Sequence, residues 1–195
     1  MKKIIYLSII TCSTLIWSAC NSNKDSKEKA DSVNTAQDSI NNKMTGTGDL
    51  ELSKHDADFA VAAANGGMAE VVLGKLAQEK GSSQAVKDFG TMMVNDHSKA
   101  NMELKQLAES KKIMLPDSVG KEEQQLKKDL SEKSGAEFDK AYVDAMVEDH
   151  KKDIAEFEDY KRKVKYPEMK ALIEKELPML KMHLSAIEKI KAQTK

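Results

Sequence analysis

The chain has 195 residues and is nearly neutral, with 31 basic and 32 acidic side chains and a formal net charge of −1. This balance offers no basic face and argues against a nucleic-acid partner. Aromatic residues make up only 5% of the chain, and alanine, leucine, lysine, glutamate and methionine are abundant. The composition therefore favours an all-α fold with a single core.

Residues 1–19 have the pattern of a signal peptide. Lys2 and Lys3 precede an apolar stretch at 4–17, which is too short to span a bilayer comfortably and is followed by small residues. We therefore expect this segment to direct export and to be removed from the mature protein.

The signal peptide ends in a motif that resembles the lipobox of bacterial lipoproteins. Ser18 and Ala19 precede Cys20, the residue that would be lipidated, while Trp17 stands where an aliphatic residue is usual. The alternative is an ordinary secretory signal with a coincidental cysteine. We predict lipidation at Cys20, and hence a periplasmic lipoprotein of the bacterial cell envelope whose lipid holds it to the outer membrane.

Residues 20–50 differ in composition from the rest of the chain. They are rich in asparagine, serine, lysine, aspartate and threonine and contain few apolar residues. Such a segment buries too little surface to offset its loss of conformational entropy on ordering. We predict a disordered tether between lipid and domain, in which any helix at 30–44 would be marginal.

Residues 51–195 form the predicted domain, with four long segments of helical periodicity. We expect the long helices at about 54–80, 84–112, 136–163 and 167–191, and a short charged helix at about 121–133. The first ends at Gly81, Ser82 or Ser83 caps the second, and Pro167 opens the fourth. Two short connections and one long crossover predict an antiparallel four-helix bundle of the ferritin-like type.

The second and third long helices share an internal repeat, M-V-x-D-H-x-K-x-x-x-E. One copy runs from Met93 to Glu103 and the other from Met146 to Glu156. Both copies lie near the middle of their helices, as two halves of a pseudo-symmetric bundle would place them.

Each long helix carries a glutamate or histidine on its inner, apolar face. In chain order these residues are Glu70, His97, His150 and His183. A carboxylate on an inner face is costly unless it is paired or bound to metal, and histidine and carboxylate ligands suit first-row transition metals. We predict that the four form a metal site for copper, zinc, iron or manganese. The alternative is a hydrogen-bonded structural network, since a single core histidine is more often structural.

Four further acidic residues lie on or beside the same faces, namely Asp96, Asp149, Asp153 and Glu176. A carboxylate next to a ligating imidazole can orient it, and we interpret this set as supporting the site. The alternative for Asp96 and Asp149 is a surface position paired with lysine. His55, at the start of the first long helix, is expected to be exposed.

Three methionines precede histidines by four residues, on the same helical face. They are Met93, Met146 and Met179. Methionine and histidine together suit copper(I) or silver. We favour the alternative that these side chains fill irregular space in the core.

Short motifs with consistent order and spacing extend from about Ala57 to Ile190. They are Phe59, Gly66-Gly67-Met68-Ala69-Glu70-Val71, Leu73-Gly74, Met93-Val94, Asp96-His97, Leu115-Pro116, Ser134-Gly135, Phe138-Asp139, Tyr142, His150, Leu177-Pro178 and His183-Leu184. Together they resemble the ferritin-like family called domain of unknown function 4142, whose members are often exported or described as outer-membrane proteins. The resemblance implies a ferritin-like bundle, and it marks Glu70, His97, His150 and His183 as characteristic polar positions. It implies no activity.

Di-iron bundles use a Glu-x-x-His motif, but the residue three before each inner histidine is apolar: Val94, Val147 and Leu180. The sequence therefore does not support ferroxidase or iron-storage activity, and a mononuclear site fits better. We predict binding, buffering or sensing of a transition metal. A structural or interaction module with protein partners in the envelope is the alternative. A metal-dependent enzyme with Glu70 as general base ranks last, because no nucleophile or phosphate-loop motif is present.

Overall fold

The computed structural model describes residues 24–45 and 53–193. Within these ranges the chain forms six helices and no strand, which confirms the all-α class. The helices are α1 (Ser26–Thr45), α2 (Lys54–Lys80), α3 (Gln84–Lys111), α4 (Lys121–Ser131), α5 (Gly135–Lys163) and α6 (Pro167–Gln193). The predicted signal peptide and Cys20 lie outside the described residues.

The boundaries of the long helices follow local signals in the sequence. The Ser83 hydroxyl accepts a hydrogen bond from the Val86 amide at 3.2 Å and so caps the start of α3, as predicted. Lys112 ends α3 in the left-handed conformation, with φ of 57°. Gly81 follows α2 as expected, although its φ of −55° is not the left-handed conformation of a typical helix-ending glycine.

The long helices form two hairpins, α2–α3 and α5–α6, which are joined by the connection that contains α4. Helix α2 also contacts α5, and α3 contacts α6, so the two hairpins lie against each other. Helix α4 packs on α2 and α5. This arrangement directs the inner faces of all four long helices towards one another.

Two apolar clusters fill the interior. One includes Leu73, Phe89, Met93, Tyr142, Met146 and Ile187, and the other includes Phe59, Leu104, Tyr166, Met169 and Ile173. Met93 and Met146 are completely buried within the first cluster, in agreement with a core-filling role. Along α2, Glu70 lies between Phe59 of one cluster and Leu73 of the other, so a polar layer separates them.

Helix α1 occupies part of the segment that the sequence predicted to be a disordered tether. Asn34 exchanges two hydrogen bonds with the backbone of Met114, each 2.8 Å long. Ser26 donates to the Asp117 carboxylate at 2.7 Å, and Ala30 is buried. The structure thus has a helix at Ser26–Thr45 that contacts α2, where the sequence predicted a tether with at most marginal helix at 30–44. Periodicity missed this helix because side-chain hydrogen bonds, rather than a broad apolar stripe, hold it in place.

By length and composition α2 is, among the described helices, the one apolar enough to cross a membrane. However, 61% of its most apolar window is buried inside the protein. Its apolar character is therefore that of a core helix.

Candidate metal centre

The four inner residues predicted from the sequence converge in the polar layer between the two apolar clusters. His97, His150 and His183 each offer a ring nitrogen, and these atoms lie within 4.8 Å of one another. Glu70 contacts two of the rings, with Oε2 at 2.7 Å from His97 Nδ1 and Oε1 at 3.5 Å from His150 Nε2. All four side chains are buried, and Glu70 is only 2% exposed.

Hydrogen bonds determine which nitrogen of each ring carries the proton. His150 Nδ1 lies 2.9 Å from the backbone oxygen of Met146, which can only accept, so Nδ1 donates and Nε2 keeps its lone pair. His183 Nε2 lies 3.0 Å from the Asp96 carboxylate, which leaves the lone pair on Nδ1.

The same reasoning applies to His97. Its Nδ1 donates to Glu70 Oε2, so its lone pair is on Nε2, which lies 3.3 Å from His183 Nδ1. Three neutral imidazoles thus present their unprotonated nitrogens to one another in the polar layer. Such a set is suited to a divalent cation.

Besides the facing nitrogens of His97 and His183, two atoms of this centre have no hydrogen-bond partner among the described residues. They are Glu70 Oε1 and His150 Nε2, both fully buried. His150 Nε2 is an acceptor, as is Glu70 Oε1 when the carboxyl is ionised, and they face each other at 3.5 Å. Buried acceptors without partners are unfavourable. A cation between them would satisfy both, so the donor set fits a metal ion.

Burial shifts the protonation equilibria of the centre. Loss of solvation lowers the pKa of His97 to about 4 and that of His150 to about 3, and it also lowers the pKa of His183. All three rings are therefore neutral at pH 7 and have lone pairs to offer. Burial, together with the charge of Asp149, raises the pKa of Glu70 well above its ordinary value. A bound cation would favour the ionised form of Glu70.

The four additional carboxylates surround the centre in different ways. Asp96 contacts His183 on another helix rather than its neighbour His97. Asp149 lies beside Glu70 and His150 at ligand distance. The His150 ring is oriented instead by its hydrogen bond to the Met146 carbonyl. Sequence spacing could not reveal this carbonyl contact, because every residue has a backbone oxygen.

Asp153 and Glu176 line a small internal cavity next to Glu70 and His97. Its volume is about 40 Å³, enough for a water molecule or two beside the centre. Burial raises the pKa of Asp153 to about 9 and also raises that of Glu176. Glu176 is buried and Asp153 is half-buried beside the centre.

Tyr142 is a polar neighbour that the sequence predicted only as part of the core. Its hydroxyl is buried without a hydrogen-bond partner among the described residues, and burial together with the nearby Glu70 charge raises its pKa. The sequence places Tyr142 on the inner face of its helix, but it does not distinguish a tyrosine beside a polar centre from an ordinary core residue. His55 is exposed, as predicted.

A comparison with protein families supports the resemblance noted in the sequence. The family model described as "Domain of unknown function (DUF4142)" matches residues 41–190, which include all four inner residues of the centre. Searches of curated proteins and of solved structures found no match.

Proposed function

The chain belongs to the domain of unknown function 4142 family, and we propose that it binds a divalent transition-metal ion at Glu70, His97, His150 and His183. One observation carries the proposal: Glu70 Oε1 and His150 Nε2 are buried, have no hydrogen-bond partner within residues 24–45 and 53–193, and face each other at 3.5 Å. The protein's role would be to bind or buffer the ion.

Some of these residues would bind the ion, and others would orient the ligands. The three imidazoles would supply nitrogen ligands, and Glu70 would supply one oxygen while its other oxygen orients His97. Asp96 and the Met146 carbonyl would keep the other two rings in the ligating tautomer. Imidazole and carboxylate donors suit zinc, copper, iron and manganese.

The proposal includes a ferritin-like four-helix bundle as the frame of the site. It is supported by the hairpins α2–α3 and α5–α6 and by the long connection between α3 and α5. In such bundles, metal sites are built from side chains on facing helices.

We also propose that the protein is a periplasmic lipoprotein whose lipid at Cys20 holds it to the outer membrane. The signal-like residues 1–19 and the motif Ser18-Ala19-Cys20 support this location. Replacing Cys20 by serine should move the protein from the membrane fraction to the soluble fraction of cells. Continued membrane association of Cys20→Ser would contradict the anchor.

Metal titration of the purified protein tests the site. We expect Zn²⁺ and Co²⁺ to bind at one ion per chain, and His97→Ala, His150→Ala and His183→Ala each to weaken binding more than about 100-fold, because loss of a ligand exceeds the 10- to 100-fold effect of its orienting partner. His55→Ala is the matched control, since this exposed histidine should leave affinity unchanged. Failure of the unaltered protein to bind zinc, copper, iron or manganese would refute the proposal.

A second candidate function is a structural module with a polar core. The contacts of His97 with Glu70 and of His183 with Asp96 favour it, because they form without a metal. Under this alternative the histidine substitutions would lower thermal stability, and added metal would change nothing. A metal-induced rise in the melting temperature of the unaltered protein that is lost in His150→Ala would decide for the metal site.

A further inference from the structure

A second set of ligands lies next to the three-histidine position. Glu70, Asp149 and His150 each offer one atom, and these atoms lie within 4.8 Å of one another. Glu70 and His150 are buried, and Glu70 Oε1 and His150 Nε2 have no hydrogen-bond partner in the described part of the chain. Asp149 is only half-buried. This set therefore differs from the three histidines in having one member that reaches towards solvent.

Asp149 lines a cleft of about 760 Å³ that runs between α2 and α5 and is bordered by α1 and α4. Nine carboxylate side chains and four lysines line this cleft. An excess of carboxylates in a concave surface attracts cations and raises their local concentration. Asp149 and Glu123 lie close enough for their charges to interact, which places the carboxylate-rich wall beside the second ligand set.

The cleft also adjoins the internal cavity beside the histidines. Both are lined by Gly66 on α2 and by Asp153 on α5. Gly66 has no side chain, and the Asp153 carboxylate lies 3.7 Å from the position that a methyl group there would take. The cleft and the internal cavity thus adjoin at the seam between α2 and α5.

His150 belongs to both ligand sets but has a single nitrogen to offer, because Nδ1 donates its proton to the Met146 carbonyl. One imidazole nitrogen binds one ion at a time. An ion held by Glu70, Asp149 and His150 therefore excludes a fully ligated ion at the three histidines, and the two positions are successive rather than simultaneous.

We propose that Glu70, Asp149 and His150 form an entry site, which captures a divalent cation from the acidic cleft and passes it to the three-histidine position. This inference rests on the proposed function, since the cation is the one that the centre would hold. During transfer Glu70 and His150 remain bound to the ion, Asp149 releases it, and His97 and His183 replace that ligand.

The test measures the rate of Co²⁺ association by rapid mixing with the purified protein, followed by the visible absorption of the bound ion. Asp149→Asn should lower the association rate constant about tenfold or more, within the range over which focused charge accelerates cation capture. The equilibrium dissociation constant should change less than about threefold, because Asp149 no longer holds the ion at its final position. Glu148→Gln is the matched control, an exposed carboxylate one residue earlier that should leave the rate unchanged.

Charge reversal at the cleft provides an independent variant should Asp149→Asn fold poorly. Glu123→Lys should slow association, with an effect that shrinks in high salt. Glu109→Lys, which lies outside the cleft, should not slow association.

Three results would overturn the entry site while leaving the metal centre in place. The first is an unchanged association rate constant in Asp149→Asn. The second is a loss of affinity in that variant as large as its loss of association rate, with an unchanged dissociation rate. The third is simultaneous binding of two Co²⁺ ions per chain. Absence of Co²⁺ binding by the unaltered protein, in contrast, would overturn the proposed function itself.

Discussion

The two helical hairpins carry the same eleven-residue pattern, yet they are built and used differently. In α2–α3 the backbones approach so closely that a methyl group at Gly90 would lie 2.6 Å from the Gly74 carbonyl oxygen. In α5–α6 the surface edges are joined by ion pairs such as Lys181–Glu158 at 2.7 Å. One hairpin therefore depends on steric fit, and the other adds exposed charge pairs to its packing.

The two repeated histidines also differ, in their hydrogen-bond partners. His97 in α3 donates to the buried carboxyl of Glu70, whereas His150 in α5 donates to the carbonyl of Met146 in its own helix. The preceding aspartates differ as well, since Asp96 contacts His183 and Asp149 faces the acidic cleft. The same local pattern thus acquires different chemistry from the neighbouring helices.

The largest effect is expected from Gly90→Ala. The added methyl group would clash with backbone, which cannot move as a flexible side chain can, and we expect a loss of about 3 kcal/mol in the free energy of unfolding. Urea denaturation measures it. An alanine at Thr91, the exposed neighbour on the same helix, should change stability far less. A Gly90→Ala protein as stable as the parent would remove the steric distinction between the hairpins.

In metal-free protein, substitution of His97 should lower the free energy of unfolding more than substitution of His150, though less than Gly90→Ala does. His97→Leu leaves Glu70 Oε2 buried without its donor, which should lower unfolding free energy by about 2 kcal/mol. His150→Leu removes an acceptor that has no partner among the residues the structure describes, so it should change the unfolding free energy little. Both variants should lose metal binding. Equal destabilisation by the two substitutions, measured with a chelator present, would show that the copies are equivalent.

The loop of the α2–α3 hairpin should make stability depend on pH. Asp139 on α5 accepts hydrogen bonds from the amides of Ser82 and Ser83, each at 2.8 Å. Burial alone would raise the pKa of Asp139, but these bonds and that of the Ser82 hydroxyl outweigh it and hold the pKa below 3.8. The resulting stabilisation is present above the unfolded pKa and is lost as pH falls through the lower, folded value.

Asp139→Asn should therefore cost about 1.5 kcal/mol near neutral pH, where hydrogen bonds to a charged group are strongest. The difference between parent and variant should shrink as the pH falls below about 4. Denaturation at a series of pH values measures this difference. A constant difference down to strongly acidic pH would mean that the carboxylate charge contributes nothing to the loop.

The smallest effect is expected at the edge of α5–α6. Lys181 and Glu158 are both about half exposed, and exposed pairs contribute little because solvent screens them. Lys181→Met should lower the free energy of unfolding by less than about 0.5 kcal/mol, and the difference should disappear in 1 M salt. A salt-independent loss above about 1 kcal/mol would instead indicate that this pair supports the hairpin.

The sequence by itself determined the helical class, the bounds of the long helices to within a few residues, and the inward faces of Glu70, His97, His150 and His183. These features depend on local interactions, namely helical periodicity and end caps, which neighbouring residues specify. Tertiary structure alone decided that α1 folds onto the α3–α4 connection. Asn34 gains its partner, Met114, only when segments far apart in the chain meet.

Tertiary structure also decided the roles within the polar layer. The repeat placed an aspartate before each central histidine, but packing turned Asp96 towards His183 and Asp149 towards the cleft. The physical reason is that the direction in which a side chain finds a partner depends on which helix lies opposite it. Periodicity shows that a residue points inwards, whereas only the assembled helices show which atoms it meets there.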